Sequence, residues 1–82
     1  MKKFEYRVCQ VQNNYITFVN GIWQGKVKPD SKQPEKSLNS CPQVWDYLSL
    51  VGEDGWELVT STGDLSNIQM LYLKKENRLF TY

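Results

Sequence analysis

Histidine is absent from all 82 residues. That absence removes imidazole general bases, Cys-His and Ser-His nucleophile pairs, and most zinc sites. Cysteine is scarce. Cys9 and Cys41 are the two present, and one bridge is a thin disulfide framework, so both read as free thiols of a reducing compartment. No apolar run approaches the roughly 18 residues that a membrane span requires. The basic start Met1-Lys2-Lys3 leads into Phe4-Glu5-Tyr6-Arg7 without the apolar stretch of a secretory leader, so a cytoplasmic location is expected.

Charge of neither sign dominates. Ten Lys and Arg against nine Asp and Glu leave +1, which excludes a strong electrostatic grip on nucleic acid or an anionic membrane as the leading idea. The balance is uneven along the chain, however. Residues 1–41 hold seven cations against three anions, and residues 42–82 hold three against six.

Five glycines leave few places for a phosphate cradle, and Gly52-Glu53-Asp54-Gly55 fits neither glycine-rich loop pattern. The acidic spacing of a calcium loop is missing. Glu53, Asp54 and Glu57 fall in a turn, with nothing to raise a carboxyl pKa for acid–base work. Cys41 has neither a base nor a second thiol at C-x-x-C spacing. The expectation is a non-enzymatic protein with no catalytic residue, no cofactor and no metal.

What is present is pattern. Forty per cent of the residues are apolar and 13% aromatic, a globular composition for one domain over residues 1–82. Phe4, Tyr6 and Val8 alternate with Glu5, Arg7 and Cys9, which predicts a half-buried strand over 3–12. Tyr15–Val19 and Ile22–Val27 flank Asn20-Gly21, the dipeptide favoured in a type I′ hairpin turn, where Gly21 takes positive φ without strain. A tight turn would set Val19 opposite Ile22, Phe18 opposite Trp23 and Tyr15 opposite Lys26. Ile16, Phe18 and Trp23 would then share one side of the ribbon, and Val19 and Ile22 the other.

Residues 28–39 contain two prolines and a single large apolar side chain, so they read as a mobile loop. Ser40 is placed as the N-cap of a helix, with Pro42 in its first turn and Gln43 at N3. A helix start there would also bring the Cys41 sulfur near backbone N–H groups. Val44, Leu48 and Val51, joined by Trp45 and Tyr47, form its apolar stripe. Gly55 ends it in the left-handed conformation, and Trp56 packs beneath that end. Strands over 56–62 and 68–75 follow, turning through Gly63–Asn67, with Leu79, Phe80 and Tyr82 available as an edge segment or a cover.

The fold class expected is α+β: a two-layer antiparallel sheet of about five strands, in the order β-ββ-α-ββ, with one helix packed on one face. Met70 and Tyr72 alternate with Leu71 and Leu73, so both sheet faces carry apolar residues and the second needs a cover. The tail, the long loop or another protomer could supply it.

Phe4-Glu5-Tyr6-Arg7-Val8, Glu53-Asp54-Gly55-Trp56-Glu57-Leu58-Val59 and Tyr72-Leu73-Lys74-Lys75 resemble the motifs of a family of short bacterial and phage proteins of unknown function. Its pattern is F-E-Y-K-V, then L-N-x-x-G-x-E-G-W-E-L-V, then Y-x-L-K-R. Here Leu48-Ser49-Leu50-Val51 replaces the leucine-asparagine approach, and the Tyr15–Val27 hairpin with the following loop is an elaboration. The resemblance implies a compact α+β unit and carries no catalytic residue with it.

These readings converge on a small accessory or self-associating module that binds a protein partner or a second copy of itself. Arg7, Val19, Ile22, Trp23, Lys26 and Lys28 are its candidate surface, and Gly21, Ser40, Gly55 and Trp56 its structural positions. One alternative is a single-stranded nucleic-acid binder using Tyr6, Arg7, Trp23, Lys26 and Lys28, although the Lys/Arg-Gly-Phe/Tyr signature of sheet binders is missing. Another is a small-ligand binder with residues 28–39 as a lid.

Overall fold

The computed structural model describes residues 3–29, 32–63 and 68–77. Among these residues five strands and two helices run in the order β1 (Lys3–Gln12), β2 (Tyr15–Val19), β3 (Ile22–Trp23), α1 (Pro34–Asn39), α2 (Val44–Glu53), β4 (Glu57–Gly63) and β5 (Ile68–Asn77). The strands form one antiparallel sheet ordered β3-β2-β1-β5-β4. The α+β class and the five strands agree with the sequence reading, while α1 is an addition to it. The turn expected at Gly63–Asn67 lies mostly outside the described residues, as does the tail expected to cover or extend the sheet.

Two tight turns set the first three strands. Asn13 and Asn14 both have positive φ, 50° and 68°, and they join β1 to β2 where Gln12 faces Tyr15. Asparagine tolerates this region better than other residues with a Cβ. Asn20 and Gly21 repeat the geometry at φ 49° and 82°, giving the predicted pairs Val19↔Ile22 and Phe18↔Trp23. Asn20 also grips β1: its Oδ1 accepts the Val8 N–H at 2.8 Å, and its own N–H donates to the Val8 carbonyl at 2.8 Å. The hairpin is thereby fastened to the centre of the sheet.

Two expectations for this hairpin fail. β3 ends at Trp23, so Lys26 does not pair with Tyr15, which instead bridges to Gln43. Ile16 does not share a side with Phe18. Gln10 pairs with Phe18 but the next β1 residue, Val11, pairs with Ile16, so Thr17 is an extra residue in β2. The bulge shifts the parity by one, sending Ile16 into the core and Phe18 to the opposite face. Thr17, buried in the bulge, donates its hydroxyl to the Gln10 carbonyl at 3.1 Å.

The core lies between α2 and one sheet face. Cys9, Val11, Ile16, Leu71 and Leu73 from the sheet meet Tyr47 and Val51, with Val19, Val44, Leu48 and Trp56 packed around them. Val44, Tyr47, Leu48 and Val51 follow i, i+3, i+4, i+7, the stripe a helix buries. Burying a side chain the size of Leu73 or Ile16 contributes about 1.5–3 kcal/mol. Trp45 was expected in this stripe but stands on the solvent side, 55% exposed, because one residue from Val44 turns it about 100° away.

α2 does not start at Ser40. Its N-cap is Gln43, with no side-chain cap. The Val44 N–H is instead taken by the Asn14 carbonyl at 2.8 Å, while the Ile16 N–H donates to the Pro42 carbonyl at 2.8 Å. Backbone contact with β2 thus does what the capping serine was expected to do. Ser40 is the C-cap of α1; its hydroxyl donates to the Ser37 carbonyl at 2.6 Å and accepts the Val27 N–H at 3.1 Å.

The segment read as a mobile loop therefore contains a helix. Pro34 stands in its first turn, where a missing N–H costs nothing. Ser37 is buried and donates to the Lys28 carbonyl at 2.7 Å. Polar composition hid this element, because it is held by hydroxyl-to-backbone bonds rather than by an apolar stripe.

The end of α2 follows the prediction. Asp54 is the C-cap, Gly55 has φ 94°, the Gly55 N–H bonds the Gly52 carbonyl and the Trp56 N–H bonds the Val51 carbonyl, each at 3.0 Å. These are the paired bonds of a Schellman motif, completed by Trp56 and Val51 meeting in the core.

Candidate functional site

The alternation of β1 and β5 divides their side chains cleanly. Arg7, Cys9, Val11, Leu71 and Leu73 face α2. Phe4, Tyr6 and Val8 face the other way beside Met70, Tyr72 and Lys74, through the pairs Tyr6↔Lys74, Val8↔Tyr72 and Gln10↔Met70. Neither helix covers this open face along its β1–β5 centre. Tyr6 is 67% exposed and Phe4 40%, and the Lys74 ammonium sits 4.9 Å from the centre of the Phe4 ring.

Towards β2 and β3 the open face deepens. A hollow lined by Val8, Gln10, Phe18 and Met70 lies next to Asn20-Gly21. Phe18 is also a wall of a second cavity, of about 490 Å³, which it shares with Trp23, Pro29, Pro34 and Leu38. Phe18 and Trp23 meet edge to face, their rings 5.3 Å apart. The indole is held in place by its Nε1–H, which donates to the Val27 carbonyl at 3.0 Å. Gly25 permits that placement: a Cβ there would stand 2.6 Å from Ser40 Oγ and 2.7 Å from the indole.

The six residues expected to form one interaction surface are distributed over both sides of the sheet. Trp23 lines the cavity, and Lys26 and Lys28 are exposed on the chain just after it. Ile22 is exposed at the hairpin, whereas Val19 packs against the core. Arg7 departs furthest from expectation. It lies on the α2 side, where its Nη1 donates to the Tyr47 hydroxyl at 2.9 Å and its guanidinium stacks 4.2 Å over the Trp56 ring. Tyr72 and Met70, not among those six, are brought to the open face by the register of β5.

Around Trp56 the α2 side carries a polar rim. Lys75 bonds Asp54 at 3.1 Å and its ammonium lies 6.0 Å from the Trp56 ring centre. The Lys75 ammonium holds the Asp54 carboxyl below its ordinary range, with small help from the Trp56 N–H and Arg7. Among the described residues Trp56 Nε1 is nonetheless buried without an acceptor at bonding distance.

Burial pushes the Cys9 thiol up, against the opposing pull of the Tyr47 hydroxyl and Arg7. Burial likewise raises Cys41. Cys41 follows the last turn of α1, its sulfur 3.7 Å from the Ser37 carbonyl, so no helix N-terminus activates it as the sequence reading had entertained. Tyr47 is raised by burial too. Among the described residues no group of three or more Cys, Asp or Glu is arranged to hold a metal ion, and no helix is long and apolar enough to cross a membrane.

Comparison with protein-family models, with curated proteins and with solved structures finds no match. The resemblance drawn from the FEYRV, EDGWELV and YLKK segments therefore rests on those residues alone.

Proposed function

We infer that this protein is a non-enzymatic interaction module of the cytoplasm whose working surface is the open sheet face, and that its occupant there is a second copy of the chain. The observation that carries the reading is the row Phe4, Tyr6, Val8, Met70 and Tyr72, aromatic and apolar along the two central strands, with neither α1 nor α2 laid over it. Contiguous apolar surface of this kind marks a contact. A net charge of +1 sets little repulsion between copies, and two such faces can stack as the sheets of a sandwich do, about 10 Å apart.

Aromatics on central strands also suit base stacking. Charge argues against that partner: Lys74 on the open face is paired across the strands with Glu57 and stands two residues from Glu76. A phosphate backbone crossing there would meet two carboxylates for one ammonium.

The test is solution mass by light scattering over a hundredfold range of protein concentration. The expected result is a dimer that Tyr6→Lys and Tyr72→Lys each convert to a monomer of unchanged thermal stability. A wild-type monomer at every concentration would overturn the reading.

A further inference from the structure

We propose that the cavity between α1 and the β2–β3 hairpin is a binding site for an uncharged, ring-bearing small molecule, inserted apolar end first. The proposal is independent of self-association, because the cavity lies to one side of the β1–β5 face.

Size is the first argument. About 490 Å³ lies inside the range of small-molecule sites, roughly 300–1,000 Å³. The second is the chemistry of the walls. Phe18, Trp23, Pro29, Pro34 and Leu38 are apolar, and of the polar groups in the lining the two hydroxyls and the indole N–H are already engaged. Thr17 Oγ1 donates to Gln10, Ser37 Oγ to Lys28 and Trp23 Nε1 to Val27. A guest therefore finds ring faces and aliphatic edges inside, with the amides of exposed Gln12 and Asn13 left to receive a hydroxyl or carbonyl group at the mouth.

Charge supplies the third argument. Among the described residues Glu35 is the sole charged one lining the cavity, and its carboxylate opposes an anion there. The adjoining hollow shares Pro34 and Glu35 with the cavity and adds Lys32 and Lys36, which oppose a cation on approach. Neither sign of ligand gains, and burying an unpaired charge is costly. A neutral guest escapes both.

Rigidity is the fourth. The walls are built before any ligand arrives: the indole is tied to Val27, and α1 is tied back through Ser37 to Lys28 and through Ser40 to Val27. A site that needs no ordering keeps more of its contact energy as affinity. Of the segment expected as a lid, α1 is in this respect a wall of the site.

Three probes with one phenyl ring and one short arm separate the possibilities: 2-phenylethanol, 2-phenylethylammonium and phenylacetate. Each is titrated into the isotopically labelled full chain and followed by amide and indole NMR shifts. The expected result is saturable binding of 2-phenylethanol with a dissociation constant on the order of 1 mM. Its shifts should centre on the Trp23 indole, Phe18 and Leu38, and both charged probes should bind at least about fivefold more weakly. Trp23→Leu and Leu38→Arg should each weaken 2-phenylethanol at least about tenfold while the remaining spectrum stays dispersed. Failure to saturate by about 20 mM would overturn the proposal, as would shifts centred on Val8 and Met70. So would a charged probe binding as tightly as the alcohol. Should Trp23→Leu lose its dispersed spectrum, Leu38→Arg decides by the same criterion.

Discussion

The guanidinium of Arg7 lies 4.2 Å above the centre of the Trp56 ring. One residue comes from the middle of β1 and the other from just past the end of α2, bonded back to Val51, so the contact fastens the helix terminus to the centre of the sheet. Arg7 also holds the Tyr47 hydroxyl. Replacing it by Ala should lower unfolding free energy by about 1–2 kcal/mol, through a lost cation–π contact and a charge-assisted hydrogen bond. Urea denaturation measures this, and a double-mutant cycle with Trp56→Leu should return a coupling of about 0.5–1 kcal/mol. A coupling near zero would mean that the stacking is incidental.

Trp56 itself should matter more. It closes the Schellman motif and packs on the core, so Trp56→Ala should cost about 3 kcal/mol. Gly55→Ala, which places a Cβ at φ 94°, should cost about 1 kcal/mol. Thermal and chemical unfolding of the two variants would rank them, and the reverse order would contradict the packing described.

Substituting Asn14 by Gly should stabilise the protein by roughly 0.5–1 kcal/mol. The residue sits at φ 68°, a region glycine enters without a Cβ penalty, and Asn-Gly is the favoured pair for this turn. Its carbonyl still accepts the Val44 N–H, so the start of α2 should survive. A raised melting temperature with an unchanged spectrum around Val44 is the expected outcome.

Asp54 gives the pH response a sign. Lys75 holds the folded-state pKa of Asp54 below its unfolded value, so the pair's contribution is present above the unfolded pKa. It is lost as pH falls through the folded one. The pair is solvent-exposed and small in effect. Titrating the Asp54 carboxyl by NMR should show a midpoint below that of an unfolded peptide, returning to ordinary values in Lys75→Met and at high salt.

Both cysteines are buried with raised thiol pKa values. At neutral pH a thiol reagent should modify the native protein at least roughly tenfold more slowly than the urea-unfolded chain. Cys41→Ser should leave stability nearly unchanged, since the hydroxyl can turn to the Ser37 carbonyl already beside the sulfur. Rapid native modification of Cys41 would show that α1 opens readily.

Local signals were the legible part of this chain. Asn20-Gly21, the i, i+3, i+4 spacing from Val44 to Val51, and Gly55 before Trp56 act within a few residues, and each element formed where its chemistry required. Ser40 was misread because a competing tertiary contact won: the Asn14 carbonyl reached Val44 first. α1 was missed since its anchors, Ser37 and Ser40, bond to backbone far along the chain. The bulge at Thr17 has no composition of its own, yet it decides which face Ile16 and Phe18 occupy and so which residues can meet a partner. Arg7 shows the same limit, since alternation told which neighbours it opposes but not that Tyr47 and Trp56 would enclose it.

Pairing of β1 with β5 runs without interruption from Lys3↔Asn77 to Gln12↔Ile68, joining the first strand of the sheet to the last. The consequence is kinetic. On a translating ribosome the β1–β2–β3 meander can form early, but its inner edge has no neighbour until β5 emerges, and α2 lacks Leu71 and Leu73, part of the surface it packs on. Closing so long a loop before its contacts repay the lost entropy slows folding relative to a chain of local contacts. During that interval the unpaired side of β1 is an open template for another nascent chain.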